Sequence, residues 1–157
     1  MTALLISVEN IKRLGLTQEN VNDKLIAVAV RRTQDLKIRE VIGEDLYTAL
    51  MDKVTNNDVT GNYAVLMNEY IAPCMVAYVD YYTAIFSNQK ITNKATGTIQ
   101  DNNIRTDNSA VVDFLDVIEK QAMNYRQRLI DWLEKGLIPE YSVKCNDKKS
   151  GYDFNWV

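Results

Sequence analysis

The side chains able to do chemistry in this chain are carboxylates, cations, phenols and two thiols, because its 157 residues include no histidine. Without imidazole the usual general base of serine and cysteine hydrolases is missing, as are an HExxH metal site and the histidine of an RxxxxH helical ribonuclease. No GxxxxGK[ST] or GxGxxG string occurs, so the conventional phosphate-cradling turns are absent too. The best enzymatic candidate is a set of acids. Asp113, Asp116 and Glu119 recur every three residues, and Glu40, Glu44 and Glu69 lie elsewhere. Brought together, such carboxylates would hold magnesium as in an all-α nucleotide pyrophosphohydrolase. The more economical reading of the first three is a solvated helix face beside the apolar Leu115/Ile118 strip.

Arg31, Arg32, Lys37 and Arg39 place four cations within one helical stretch, a pattern that is ordinarily solvated and that could also grip phosphates or an acidic partner. Net charge is -3 and the pI about 5.0, which favours a protein contact over DNA and leaves no overall basic footprint. Tyr63, Tyr70, Tyr78, Tyr81 and Tyr82 fall on a helical repeat and read as core whose hydroxyls reach an edge. Cys74 and Cys145 form no CxxC pair, so two free thiols are expected rather than a disulfide or a zinc site.

These groups are positioned by a chain of ordinary globular composition, 46% hydrophobic and 25% charged, whose length suits one domain. The opening apolar run lacks a basic flank and a small-residue cleavage site, so a secretory signal is not expected. No apolar stretch approaches the roughly 20 residues of a membrane span. An intracellular protein is the expectation.

The periodicity predicts an all-α bundle of about five helices, two of them long. A short first helix carries Val8, Ile11 and Leu14 and stops at Gly15 through a left-handed cap. A second, capped by Asn20 or Asn22, shows Leu25, Val28, Ala29, Arg32 and Leu36 as its main face, with Ile26, Val30 and Val41 as a second strip. After Gly43, Glu44 and Asp45 open a third helix with Leu46, Leu50, Met51 and Val54, ending in the turn-rich 55–61. A long amphipathic helix then runs from Tyr63 to Phe86, and Pro73 should kink or break it near Ile71 or Ala72. From 92 to 108 the pattern vanishes. A long loop is expected there, with a small hairpin possible from the alternation of Thr96, Thr98 and Gln100. The last helix, about 109–135, carries a heptad-like seam of Val111, Leu115, Ile118, Ala122, Tyr125, Leu129 and Trp132.

Gly136 and Pro139 end the helical domain, read as 1–136, and release a C-terminal arm, 137–157. Its aromatics Tyr152, Phe154 and Trp156 alternate with polar residues, so an extended strand would show all three on one side. They call for cover, either from the arm's own domain or from a neighbouring subunit.

Several strings carry a resemblance. Ile6-Ser7-Val8-Glu9-Asn10-Ile11-Lys12 opens the chain; Ile38-Arg39-Glu40-Val41-Ile42-Gly43-Glu44-Asp45-Leu46-Tyr47 turns a long helix into a shorter one. Asn68-Glu69-Tyr70-Ile71-Ala72-Pro73 holds the mid-helix proline, and Lys90-Ile91-Thr92-Asn93-Lys94 precedes the irregular segment. In layout and in these strings the chain resembles head-to-tail connector (adaptor or neck ring) proteins of tailed phages, especially crAss-like and other Bacteroidetes phages. The resemblance implies a structural virion protein of the neck, made in the host cytoplasm, without enzymatic activity or cofactor. It implies a homo-oligomeric ring, commonly dodecameric, beneath the portal protein and above the next neck or tail ring, through which double-stranded DNA passes. No membrane is involved. Arg31, Arg32, Arg39, Thr96, Thr98, Gln100, Tyr152, Phe154 and Trp156 are the interface candidates. A small helical metal-dependent nucleotide hydrolase is the runner-up, and a helical DNA-binding or regulatory module the third reading.

Overall fold

A computed structural model of the chain describes residues 4–17, 19–91, 96–98 and 108–141. The architecture is an all-α bundle of five helical rods. The first is α1 (Val8–Leu14). The second joins α2 (Asp23–Thr33), a π-helical turn (Gln34–Ile38) and α3 (Arg39–Ile42); the third is α4 (Glu44–Thr55). The fourth joins α5 (Gly61–Val65), a second π-helical turn (Leu66–Ile71) and α6 (Ala72–Asn88), and the fifth is α7 (Asn108–Leu133). Between the last two lies a small antiparallel hairpin, β1 (Gln89–Ile91) and β2 (Thr96–Thr98), with Lys90 opposite Gly97. It begins three residues before the expected loop.

Local chemistry sets the ends. The Ser7 hydroxyl accepts the Asn10 N–H, and the Asn22 side chain accepts the Lys24 N–H, each supplying a partner that the first helical turn lacks. Glu44 and Asp45 stand at the start of α4 as expected. Gly136 takes the left-handed conformation (φ 70°) just past α7, where a side chain would be strained. Gly15 does not. Its φ of -97° is extended, so the expected left-handed stop is replaced by another requirement for glycine, described below.

In the second rod Ala29 and the expected second strip of Ile26, Val30 and Val41 are buried, but the rest of the expected main face is corrected. Val28 and Leu36 are 40% and 59% exposed and Arg32 is exposed, while Ile26, Val30, Gln34, Ile38 and Ile42 are buried. That buried strip advances by fours. In a regular α-helix each such step drifts about 40° around the axis. The wide turn at Gln34–Ile38, where the Arg39 N–H reaches back five residues to the Gln34 carbonyl, holds more residues per turn and returns the strip to the core.

The long fourth rod uses the same device. Tyr70, Cys74, Tyr78, Tyr82 and Phe86 also step by fours, and the Ala72 N–H bonds to Met67 five residues back. Pro73 follows directly, so its missing N–H and its ring are met by a wide turn rather than a break, and the chain stays helical.

Every rod contributes to one core, from Ile11, Ile26, Leu46 and Leu50 to Leu66, Met75 and Leu129, all fully buried. The expected seam of α7 holds: Ile118, Ala122, Leu129 and Trp132 are buried. The arm does not leave at Gly136. Ile138 is 2% exposed within the core, Tyr141 packs against it, and Asn62 donates to the Leu137 carbonyl. Among the described residues no helix is long and apolar enough to cross a membrane.

Candidate functional site

The expected charge clusters come apart in the fold. Asp116 pairs with Lys120 (2.6 Å) and Glu44 with Arg39 (2.5 Å), while Glu40 lies 3.7 Å from Arg126. Asp113 and Glu69 are exposed. Among the described residues no group of three acidic or thiol side chains converges on a point that could hold a metal ion. Three of the four cations are likewise engaged, against aromatic rings. The guanidinium of Arg32 lies 5.0 Å from the Phe86 ring centre, Lys37 lies 5.5 Å from that of Tyr78, and Arg39 covers Tyr47 while bonding Glu44. These contacts shield the rims of the core. Hydrogen bonding to Arg39 holds the Glu44 carboxyl below its ordinary value and raises that of Arg39. Arg31 is exposed. Thr96 and Thr98 lie on β2, whereas Gln100, Tyr152, Phe154, Trp156 and Cys145 lie outside the described residues.

Tyr78 is buried, and Tyr63, Tyr70 and Tyr82 pack against the core. Tyr70 stacks on Trp132 (5.1 Å between ring centres), Tyr82 on Phe86, and Tyr81 meets Tyr82 edge-on. Burial pushes the Cys74 thiol up to about 12, which leaves it unreactive at neutral pH. Tyr63 donates its hydroxyl to the Glu140 carboxylate, and this bond raises its pKa to about 12. An acid whose proton is held more tightly in the folded state contributes stability below the ordinary phenol pKa, near 10, and loses it as pH rises from about 10 to 12. Tyr63→Phe is therefore expected to flatten the alkaline limb of a stability-against-pH curve measured by urea denaturation. An unchanged limb would show that the Tyr63 phenol does not contribute there.

The one buried acid among the described residues escaped the reading of the sequence. Asp80, on α6 and 7% exposed, accepts the backbone N–H groups of Leu16 (2.9 Å) and Thr17 (3.1 Å) and the Thr17 hydroxyl (2.7 Å). It fastens the loop between α1 and α2 onto α6. A Cβ on Gly15 would sit 2.7 and 2.9 Å from the two Asp80 oxygens and 2.9 Å from the Ile11 carbonyl, which is why glycine stands there. The signal was present: Asp80 is the only charged residue between Glu69 and Lys90.

Two clefts open on either side of this fastening, between α6 and α7. One, about 350 Å³, is bordered by Leu14, Leu16, Pro73, Val76, Gln121 and Tyr125. The other, about 240 Å³, is bordered by Leu16, Thr83, Ser87, Phe114 and Ile118. Leu14, Leu16 and Phe114 are 57%, 63% and 50% exposed, so this side of the bundle offers apolar surface to solvent. Thr83 is 4% exposed, and its hydroxyl finds no hydrogen-bond partner among the described residues. Because Asp80 already accepts three bonds from its own chain, what remains is a mainly apolar groove suited to a side chain or a peptide.

No curated protein and no solved structure matches the chain. A family match runs over residues 38–151, from the end of the second rod through α4, the long fourth rod, the hairpin and α7, and so includes Asp80, Thr83 and Phe114. That span is well over half of the sequence, and the chain belongs to the family of unknown function DUF6712.

Proposed function

We propose that the chain is a structural subunit of a tailed-phage neck, a connector that forms a homo-oligomeric ring between portal and tail. The observation carrying this reading is apolar surface on two different flanks of one helix. Val112 and Phe114 are two residues apart on α7 and hence about 160° apart around its axis. Both are at least half exposed, at 63% and 50%. Met123, 54% exposed, lies eleven residues from Val112 and within about 20° of its direction, whereas Phe114 adjoins Leu16 across the second cleft. A closed ring needs a head-to-tail contact, in which two unlike surfaces of each subunit meet. Two separated apolar flanks on a rigid helical body meet that need.

The dispersal of Asp113, Asp116, Glu119, Glu40, Glu44 and Glu69 weighs against the magnesium hydrolase. The pairing of Arg32, Lys37 and Arg39 with aromatics and Glu44 weighs against a DNA-binding helix. In the ring, DNA is a passing contact, and an acidic protein suits a lumen that must release it.

Quantitative mass spectrometry on purified phage particles that carry the gene tests the reading, with the major capsid protein as the internal standard. A ring's worth of copies per particle is the expected result. Absence from the particle would overturn it.

A further inference from the structure

We propose that the cleft between Leu16, Thr83 and Phe114 receives the aromatic segment 152–156 of a second copy of the chain. The second copy rests on the ring reading; the cleft and the segment do not. Three observations converge on this occupant. The cleft is apolar at its rim, with Leu16 and Phe114 exposed and Ile118 buried at 3% in its wall. It also holds the Thr83 hydroxyl, 4% exposed and without a partner among the described residues, which an occupant with a polar tip would satisfy. Tyr152, Phe154 and Trp156 supply apolar rings, and the first and last carry an O–H and an N–H.

Reach favours a neighbour over the segment's own body. The described chain ends at Tyr141, next to Glu140, whose carboxylate is bonded to Tyr63 at the start of the long rod. From the level of Tyr63 to that of Thr83 is about 30 Å along the helix. Tyr152 lies eleven residue steps beyond Tyr141. Relaxed, they span roughly 18 Å. Drawn straight they reach about 37 Å. With Tyr152 at the cleft, the chain's own segment would be pulled nearly taut across the bundle, whereas a neighbouring subunit can be placed to avoid that stretch. Each subunit then gives one aromatic segment and takes one, a head-to-tail exchange that closes a ring.

The test uses a fluorescein-labelled synthetic peptide of residues 150–157 and fluorescence anisotropy. Its receptor is the full chain carrying Tyr152→Ala, Phe154→Ala and Trp156→Ala, so that no native segment competes. Saturable binding is expected. It should weaken at least tenfold with Leu16→Asp or Phe114→Asp, about three- to tenfold with Thr83→Val, and not with Leu36→Asp, which is exposed elsewhere. Leu16 and Phe114 are exposed enough for those variants to keep the fold, which circular dichroism checks. The unsubstituted chain at nanomolar concentration should take the peptide as well as the substituted one does. No saturable binding, or binding indifferent to Leu16 and Phe114, overturns the proposal. Much weaker binding by the unsubstituted chain also overturns it, because the segment would then lie on its own body. A ring's worth of copies in particles with no peptide binding would discard this docking mode alone; peptide binding by a chain absent from particles would discard the connector.

Discussion

Trp132→Ala is expected to cost about 3–5 kcal/mol, the range for removing a large buried aromatic. Its ring is 6% exposed and stacks on Tyr70 at 5.1 Å with the planes 27° apart, so it ties the end of α7 to the wide turn that precedes Pro73. At roughly 2–4 °C per kcal/mol for a domain of this size, the melting temperature should fall by about 6–20 °C. Phe114→Ala is the internal comparison. It removes a ring from the same helix at a site 50% exposed, and should shift stability by about 0.5 kcal/mol. Urea denaturation of both variants measures the contrast. Equal costs would mean that the Trp132 side of α7 is not the buried one.

The same contrast explains what was legible in the sequence. α7 packs by a three-four alternation that a regular helix keeps on one side, so Ile118, Ala122, Leu129 and Trp132 were identifiable as core from spacing alone. The second rod was legible only in part, for the opposite reason. Its buried strip steps strictly by fours, and the turn that corrects the drift depends on packing against neighbouring helices. Read with regular geometry, Val28 and Leu36 look as good as Ile26 and Ile38. Pro73 announced an irregularity in the long rod, but not that a wide turn would absorb it. The body's extent beyond α7 was hidden as well: Gly136 does take the left-handed turn that stops a helix, yet Ile138 two residues later returns to the core. A stop signal ends an element without ending a domain.

The cleft depended on one residue that no motif contains. An isolated acid within an apolar helix has too little context to reveal its partners, because these come from a loop more than sixty residues earlier in the chain. Some of the charged residues that did form patterns pair locally. Arg39 and Glu44 are five apart, Asp116 and Lys120 four apart, and exposed pairs of this kind contribute little. Spacing in the sequence thus reports which charges lie on one helix, and burial decides which of them organise the fold.

Asp80 and Gly15 allow that statement to be tested through the sign of an effect. Gly15 has an extended backbone that alanine adopts without strain, and a glycine-to-alanine change in such a position ordinarily stabilises by about 0.4–1 kcal/mol through the unfolded chain. Here the added methyl would meet both Asp80 oxygens and the Ile11 carbonyl within 2.9 Å, so Gly15→Ala should instead destabilise, by about 1–3 kcal/mol. Asp80→Ala removes the acceptor for two backbone N–H groups and the Thr17 hydroxyl, with Thr17 itself 8% exposed, and should cost about 2–4 kcal/mol. In the double variant two of the three close contacts are gone, because both belong to the carboxylate. Its cost should fall short of the sum of the singles by about 1–2 kcal/mol, a coupling that distant, independent residues do not show. Additive costs would place Gly15 and Asp80 apart, and a stabilising Gly15→Ala would show that the loop does not press on α6. With the coupling present, the loop that borders both clefts is held by α6 itself, and the backbone that carries Leu16 at their shared rim is fixed by a buried carboxylate.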